Sequence, residues 1–305
     1  MTVLEQLEPR DVLLGRTTHV RRTLPHKTHR MVGAWCFLDH YGPDDIKETG
    51  GMWVPPHPHT GLQTVTWLFE GLGRHTDSLG SDQLIRPGQL NVMTAGHGIC
   101  HAEVSPDDAP EVLHGVQLWV VLPDAARDST PPAFVHLADL PTFENGGATI
   151  TVMVGSLAGH TSSAPTFTPL VGAEVRLAAG ASVELPVDPG FEHAVLAVDG
   201  DMRVDGDVVE RHRLAFLGTG ADTLQLAADQ EATVLLLGGE PFGEEIVMWW
   251  NFIGRSHEEV VAQREDWNGS GIEFVPDRFG QVHDFPEPRL LAPPLPNTRL
   301  KARGR

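Results

Sequence analysis

Turn-forming residues interrupt this chain too often to leave room for long helices. Its 305 residues include 32 Gly and 24 Pro, and a proline inside a helix removes a hydrogen bond and clashes with the preceding turn. Short β-prone runs stand between the breaks, among them 63–68, 116–122 and 149–154. Regularly spaced short strands with turn punctuation predict a sandwich or a closed barrel. The length suffices for two modest domains, and a hydrophobic share of 41% fills ordinary cores.

Residues 123–132, rich in proline and polar side chains, read as a linker. After them the pattern repeats. Residues 68–71 match 197–200, 89–96 match 213–220, and 117–120 match 234–237, in the same order and at similar spacing. An all-β chain with two tandem barrels follows, divided into 1–132 and 133–305. Near the end, Ser256 and Glu259 form an S-x-x-E capping box. Val260, Val261, Arg264 and Trp267 follow at helical spacing, so a helix is predicted over about 256–267. The tail, with Pro286, Pro288, Pro293, Pro294 and Pro296, reads as an extended strap that frays at 301–305.

The chemistry concentrates in 51–103. Residues two apart on a strand share a face, so His57 projects with His59, and His101 with Glu103. Two such pairs on neighbouring strands would converge as three imidazoles and one carboxylate, a set suited to one first-row divalent metal: Fe(II), Mn, Ni, Cu or Zn. Pro58 gives no ladder hydrogen bond, which suits a barrel mouth. Transferring these positions through the repeat lands on Pro186, Asp188, Gln225 and Ala227, so the second barrel is predicted to hold no metal.

The run Gly51, His57, His59, Gln63, Gly71 resembles the first cupin motif, with Gln63 where many metal cupins carry Glu. Glu103 supplies the carboxylate instead, an arrangement similar to that of pirins. Arg21-Arg22-Thr23-Leu24-Pro25, Met31-Val32-Gly33, Phe37-Leu38-Asp39-His40-Tyr41-Gly42-Pro43 and the whole of 93–103 resemble pirin signatures too. On these residues the chain is identified as a member of the pirin family, of bacterial type. The resemblance is close over the first half and looser over the second. It implies tandem cupin (jelly-roll) barrels and a metal held by His57, His59, His101 and Glu103, most readily Fe(II). Bacterial pirins resemble quercetin 2,3-dioxygenases, which implies a flavonol and O2 as substrates. Glu103 would then remain a ligand or swing off as a catalytic base. The cavity mouth is expected near Phe37, Trp53, Val54 and Trp67. Pirins also act as regulatory partners of other proteins, so the alternative is a non-catalytic, redox-sensing module that binds a protein partner. A metal-dependent sugar isomerase on the same scaffold fits the ligand type but not the flanking segments.

A formal net charge of −19 opposes a broad interface with nucleic acid or an anionic membrane. The local basic cluster, from Arg16 through Arg21, Arg22 and Lys27 to Arg30, reads as a solvated N-terminal arm with one or two ion pairs. With only Cys36 and Cys100 there is no disulfide framework, so a reducing, cytoplasmic setting is expected. Neither a signal peptide nor an apolar run of membrane length is legible. Cys100 alternates with His101 and should point away from the metal. His193 reads as structural, and His75 as a solvated residue of the turn after Gly71. His97 either borders the site or occupies an exposed turn. His19, His26, His29, His136, His160, His212 and His283 are read as surface residues, while His40 and His114 stay open.

Overall fold

The computed structural model describes residues 4–15, 18–269 and 278–304. Arg16 of the basic cluster and Arg305 of the tail lie outside the described residues. Two seven-stranded antiparallel sheets dominate the fold. The first runs Ala133–Leu137, Leu90–Thr94, Leu62–Glu70, Val112–Val121, Trp35–Asp45, Thr18–Leu24, Arg10–Leu14. The second runs Leu4–Leu7, Leu214–Leu217, Glu192–Asp199, Ala232–Gly239, Leu170–Leu177, Ala148–Val154, Thr142–Asn145. The strands matched by the internal repeat occupy the same places in the two sheets. At one edge the barrels exchange strands in sequence terms. Leu4–Leu7 pairs with Leu214–Leu217 of the second sheet, while Ala133–Leu137, after the linker, pairs with Leu90–Thr94 of the first.

A four-stranded sheet closes each barrel: Trp53–His59, Ile99–Val104, Gly73–Asp77 and Asp82–Ile85 in the first, Ser182–Pro186, Thr223–Ala227, Met202–Val204 and Asp207–Val209 in the second. The two interiors differ sharply. The second is filled by Val, Leu, Ala and Ile side chains such as Val183, Leu185, Val195, Leu224, Leu226 and Val234. In the first, buried polar residues include His57, His59, Thr66, His101, Glu103 and Gln117, and such groups persist in an interior only when partnered.

The largest apolar cluster lies on the seam and draws on both barrels, joining Trp35, Trp67 and Leu118 to Met153, Leu196 and Leu237. Trp35 donates from Nε1 to the carbonyls of Val171 (3.2 Å) and Gly238 (3.1 Å). Trp67 donates to Glu174 Oε2 at 2.8 Å. Strands Leu62–Glu70 and Val112–Val121 are buried almost throughout because one face meets this seam and the other the first barrel's interior.

The C-terminal helix spans His257–Asn268, with Ser256 as its cap accepting from Glu259 N at 3.2 Å. Glu259 Oε2 reaches back to Arg255 N (2.7 Å) rather than to Ser256 N. Its buried residues are Val260, Gln263 and Trp267, so Gln263 takes the place expected of Val261 and Arg264. Trp267 packs with Phe252, Phe279, Cys100 and Ala102, placing the helix against the outer face of Ile99–Val104. Cys100 therefore does point outward. Beyond it the tail is an irregular strap bonded to the helix through Trp267 Nε1–Leu290 O (2.7 Å) and Asn268 Nδ2–Ala292 O (2.8 Å). The strap does not simply fray, because Arg303 and Ile246 exchange backbone hydrogen bonds of 2.9 and 3.0 Å. Among the described residues no helix is long and apolar enough to cross a membrane.

Candidate metal centre

Strands Trp53–His59 and Ile99–Val104 pair antiparallel with His101 opposite His57 and Ile99 opposite His59. Cross-strand partners project to the same face, and the two-residue period adds His59, so three imidazoles meet inside the first barrel. Their ring centroids lie 4.3 Å (His57–His101), 4.9 Å (His59–His101) and 5.1 Å (His57–His59) apart. One ligand atom from each falls within 4.8 Å of the others. The register shifts after His101, so that Glu103 faces Val54. Pro55 and Pro56 take up the extra length on the other strand, where the ladder asks no donor of them.

On its other side Ile99–Val104 pairs with Gly73–Asp77, setting Glu103 opposite His75 and His101 opposite Asp77. His75, His101 and Glu103 form a second group within the same 4.8 Å limit. The four expected ligands thus do not all fall in one tight cluster. His57, His59 and His101 make the first group, and Glu103 stands beside His101 and shares a cavity with His57 and His59.

His75 corrects the sequence reading, for it is 3% exposed and lies within a strand rather than in a solvated turn. Its Nε2 contacts Asp77 Oδ2 at 3.1 Å, its Nδ1 faces His101 Nδ1 at 3.3 Å, and its ring stacks on Phe134 at 4.2 Å. The alternation that singled out His57 and His59 applies equally to His75 and Asp77. The glycines at 71 and 73 disguised it as a turn.

For neutral rings, these contacts fix which nitrogens carry protons. An ionised carboxylate only accepts, so His75 donates from Nε2 and accepts at Nδ1. His101 then donates from Nδ1, leaving the lone pair on Nε2. His57 donates from Nδ1 to the Pro55 carbonyl at 2.9 Å, which frees its Nε2 likewise. Partners of this kind orient imidazoles that bind metals. Burial pushes the pKa of His57 down to about 4 and holds His59 and His101 well below the usual histidine range. Burial raises the Asp77 carboxyl, but the His75 and Ser81 hydrogen bonds outweigh it and hold the group below normal. Glu103, also buried, is pushed up to about 7.

His101 Nε2 and His59 Nδ1 are buried without a hydrogen-bond partner among the described residues. Imidazoles whose ligand atoms lie within 4.8 Å of one another, two of them with orphaned nitrogens, fit a divalent transition metal, which would satisfy what no protein group among the described residues does.

His57, His59 and Glu103 open into a cavity of about 280 Å3. Phe37 and Val54 line it as expected, together with Trp119, Trp250, Asn251 and Gln117, which sequence parity did not single out. Trp67 is instead in the seam, and Trp53 donates to Glu287 at 3.0 Å on another face. Phe37 and Trp119 stack at 4.0 Å, and Trp119 meets the His59 ring edge-on at 5.2 Å. Arg22 pairs with Asp39 (2.7 and 2.6 Å) and lies 4.4 Å over Phe37. Gln63 is held at the seam, donating to Thr94 (3.0 Å) and the Pro165 carbonyl (3.2 Å). His97 is exposed, its carbonyl accepting from Arg278 at 2.6 Å. His212, read as a surface residue, instead packs 5.2 Å from His40, which bonds His114 at 2.8 Å. His193 is fully buried with neither ring nitrogen partnered among the described residues, so it is not the satisfied residue expected.

Comparison with known proteins places the chain. The pirin family pattern matches residues 17–120, and that of the pirin C-terminal cupin domain matches 172–273. A Pseudomonas aeruginosa protein, provisionally named a quercetin 2,3-dioxygenase, is 45% identical over 294 residues, covering 96% of this chain and 91% of that one. A pirin-like protein of Caulobacter vibrioides is 36% identical, covering 88% and 94%. The crystal structure of an Acinetobacter baumannii quercetin 2,3-dioxygenase superimposes with a TM-score of 0.92 at 42% identity, covering 98% of this chain and 97% of the other. With these relatives, the two cupin barrels and the imidazole cluster in the first of them, the chain belongs to the pirin family.

Proposed function

We propose that His57, His59, His101 and Glu103 hold one divalent transition metal in the first barrel, and that the protein is a dioxygenase that opens flavonols. The observation that carries this reading is the cluster of three buried imidazoles, two with orphaned nitrogens, beside an aromatic-walled cavity. Likeness to relatives named as quercetin 2,3-dioxygenases supports the substrate class. A bound divalent ion, Fe(II) before Mn, Ni, Cu or Zn, would supply an anchor for the flavonol oxygen and, where it is redox-active as Fe(II) is and Zn is not, activation of O2.

The chain's own residues do the rest. The stacked Phe37 and Trp119 offer a flat wall for a planar polyphenol. Gln117 and Asn251 bring amides to the same cavity for its hydroxyls. At about 280 Å3 the space lies just below the roughly 300–1,000 Å3 usual for small-molecule sites, which favours a thin ligand. Glu103 would serve as the fourth ligand or move off to take the flavonol proton. The second barrel, with an apolar core and, among the described residues, the lone buried histidine His193, holds no ion in this reading. Two buried free cysteines fit the cytoplasm as its setting.

Fe(II)-loaded protein should consume O2 with quercetin as the flavonol absorption band decays. His101→Ala should remove metal and activity together, and Glu103→Gln should weaken both ligation and proton transfer. If loaded wild-type protein bleaches quercetin no faster than free Fe(II), or Glu103→Gln matches wild type, the dioxygenase reading fails. Binding of a protein partner then leads.

A further inference from the structure

A second and larger cavity, of about 550 Å3, lies where the first barrel meets the Ile246–Met248 segment and the C-terminal strap. None of the imidazoles of the metal centre lines it. Its apolar side is formed by Met31, Cys36, Ile246 and Val247, all buried. Four cations surround it: Arg30, Arg299, Lys301 and Arg303. Arg299 is taken up by a two-pronged pair with Glu258. Among the described residues, no carboxylate pairs with Arg30, Lys301 or Arg303.

Three unpaired cations around one concavity stand out in a chain of net charge −19. Lys301 and Arg303 are exposed, but the backbone beneath them is held in place. The strap that carries Lys301 and Arg303 is tied at Arg303 to Ile246 by paired backbone bonds, and at Leu300 N to His257 Nδ1 at 3.1 Å. Arg30 is anchored on the first barrel and is partly buried, and burial together with the field of Arg303 holds its guanidinium below its usual range. Like charges held together by the fold raise the energy of the empty site, and an anion lowers it. Guanidinium forks bind carboxylates in a two-pronged manner, and a concavity with one apolar side suits a ligand with an apolar body.

We propose that this cavity binds a small organic carboxylate, its head between Arg30, Lys301 and Arg303 and its hydrocarbon body against Met31, Ile246 and Val247. The site is independent of the metal centre, so its fate does not depend on whether the first barrel is catalytic.

Octanoate is the probe, with 1-octanol as its neutral counterpart and inorganic phosphate as an anion without an apolar body. Calorimetric titration should show one saturable octanoate site, weakened several-fold at high salt as screening sets in. Octanol and phosphate should each bind at least about tenfold more weakly. Arg30→Met/Arg303→Met should lower octanoate affinity by about 10- to 100-fold. The exposed Lys301→Met, which leaves the packing untouched, should lower it several-fold. His57→Ala/His59→Ala should bind as wild type does. Absence of saturable octanoate binding, octanol or phosphate binding as tightly, unchanged affinity in the arginine and lysine variants, or loss of binding in the histidine variant would each overturn the proposal. Unchanged melting of the arginine variant shows that any loss is local, and Lys301→Met decides the matter if that variant melts early.

Discussion

Replacing Asp77 by Asn exchanges one acceptor for one donor at the far end of a chain of hydrogen bonds that ends at the metal centre. In the native protein Asp77 Oδ2 accepts from His75 Nε2 (3.1 Å), and His75 Nδ1 accepts from His101 Nδ1 (3.3 Å). This leaves the His101 Nε2 lone pair free. Asparagine can still accept at Oδ1 from Leu79 N (2.8 Å) and Ser81 N (3.0 Å), so the turn it stabilises survives. Its amide would now donate to His75 Nε2, however. Every proton along the chain then shifts, and His101 carries its hydrogen on Nε2, where a metal needs the lone pair. Binding has to break one buried hydrogen bond to restore the native tautomer, at a cost of about 1–3 kcal/mol. That corresponds to roughly 5- to 150-fold in affinity and overlaps the 10- to 100-fold typical of lost partners to metal-ligating histidines. Competition of Co(II)-loaded protein with a chromogenic chelator measures it, and melting of the metal-free proteins checks the fold. If Asp77→Asn melts like wild type and its affinity lies within about twofold of it, the tautomer argument is wrong.

Other perturbations read other parts of the structure. Removing the metal should lower the melting temperature while leaving β-type circular dichroism, because the apolar seam and the second barrel's core contain none of the ligands; loss of the β signal would show that the ion is needed for folding. Burial holds buried His114 at about 4 against an unfolded value near 6.5, with Asp199 opposing and Arg21, Arg211 and His212 adding to the shift. The native state then binds fewer protons than the unfolded one. Stability should be complete above about pH 6.5 and fall by up to about 3 kcal/mol towards pH 4. Urea unfolding at several pH values should show His114→Phe flattening that slope, and an unchanged slope would remove His114 from the account. Trp35→Phe should cost about 1–3 kcal/mol by leaving the carbonyls of Val171 and Gly238 without their donor. A shift in denaturant midpoint equivalent to much less would mean that the seam does not depend on this tryptophan.

Much of this molecule is written locally. Strand alternation alone puts His57 with His59 and His101 with Glu103, since a period of two is a property of any extended chain. The S-x-x-E signal at Ser256 set the start of the last helix to within a residue. The repeat aligned strands that occupy equivalent places in the two sheets. What stayed illegible depends on partners distant in sequence. His75 obeys the same alternation, but its burial follows from pairing with Ile99–Val104, some 26 residues on. Trp67 and Trp119 belong to adjacent, nearly featureless apolar strands, where parity names two faces without saying which meets the seam and which the cavity. Pairing of Leu4–Leu7 with Leu214–Leu217 carries no local mark at all. Local chain geometry decides which side chains travel together. Only register and packing between distant segments decide which of the two possible faces is buried, because a slip of one residue reverses every side chain.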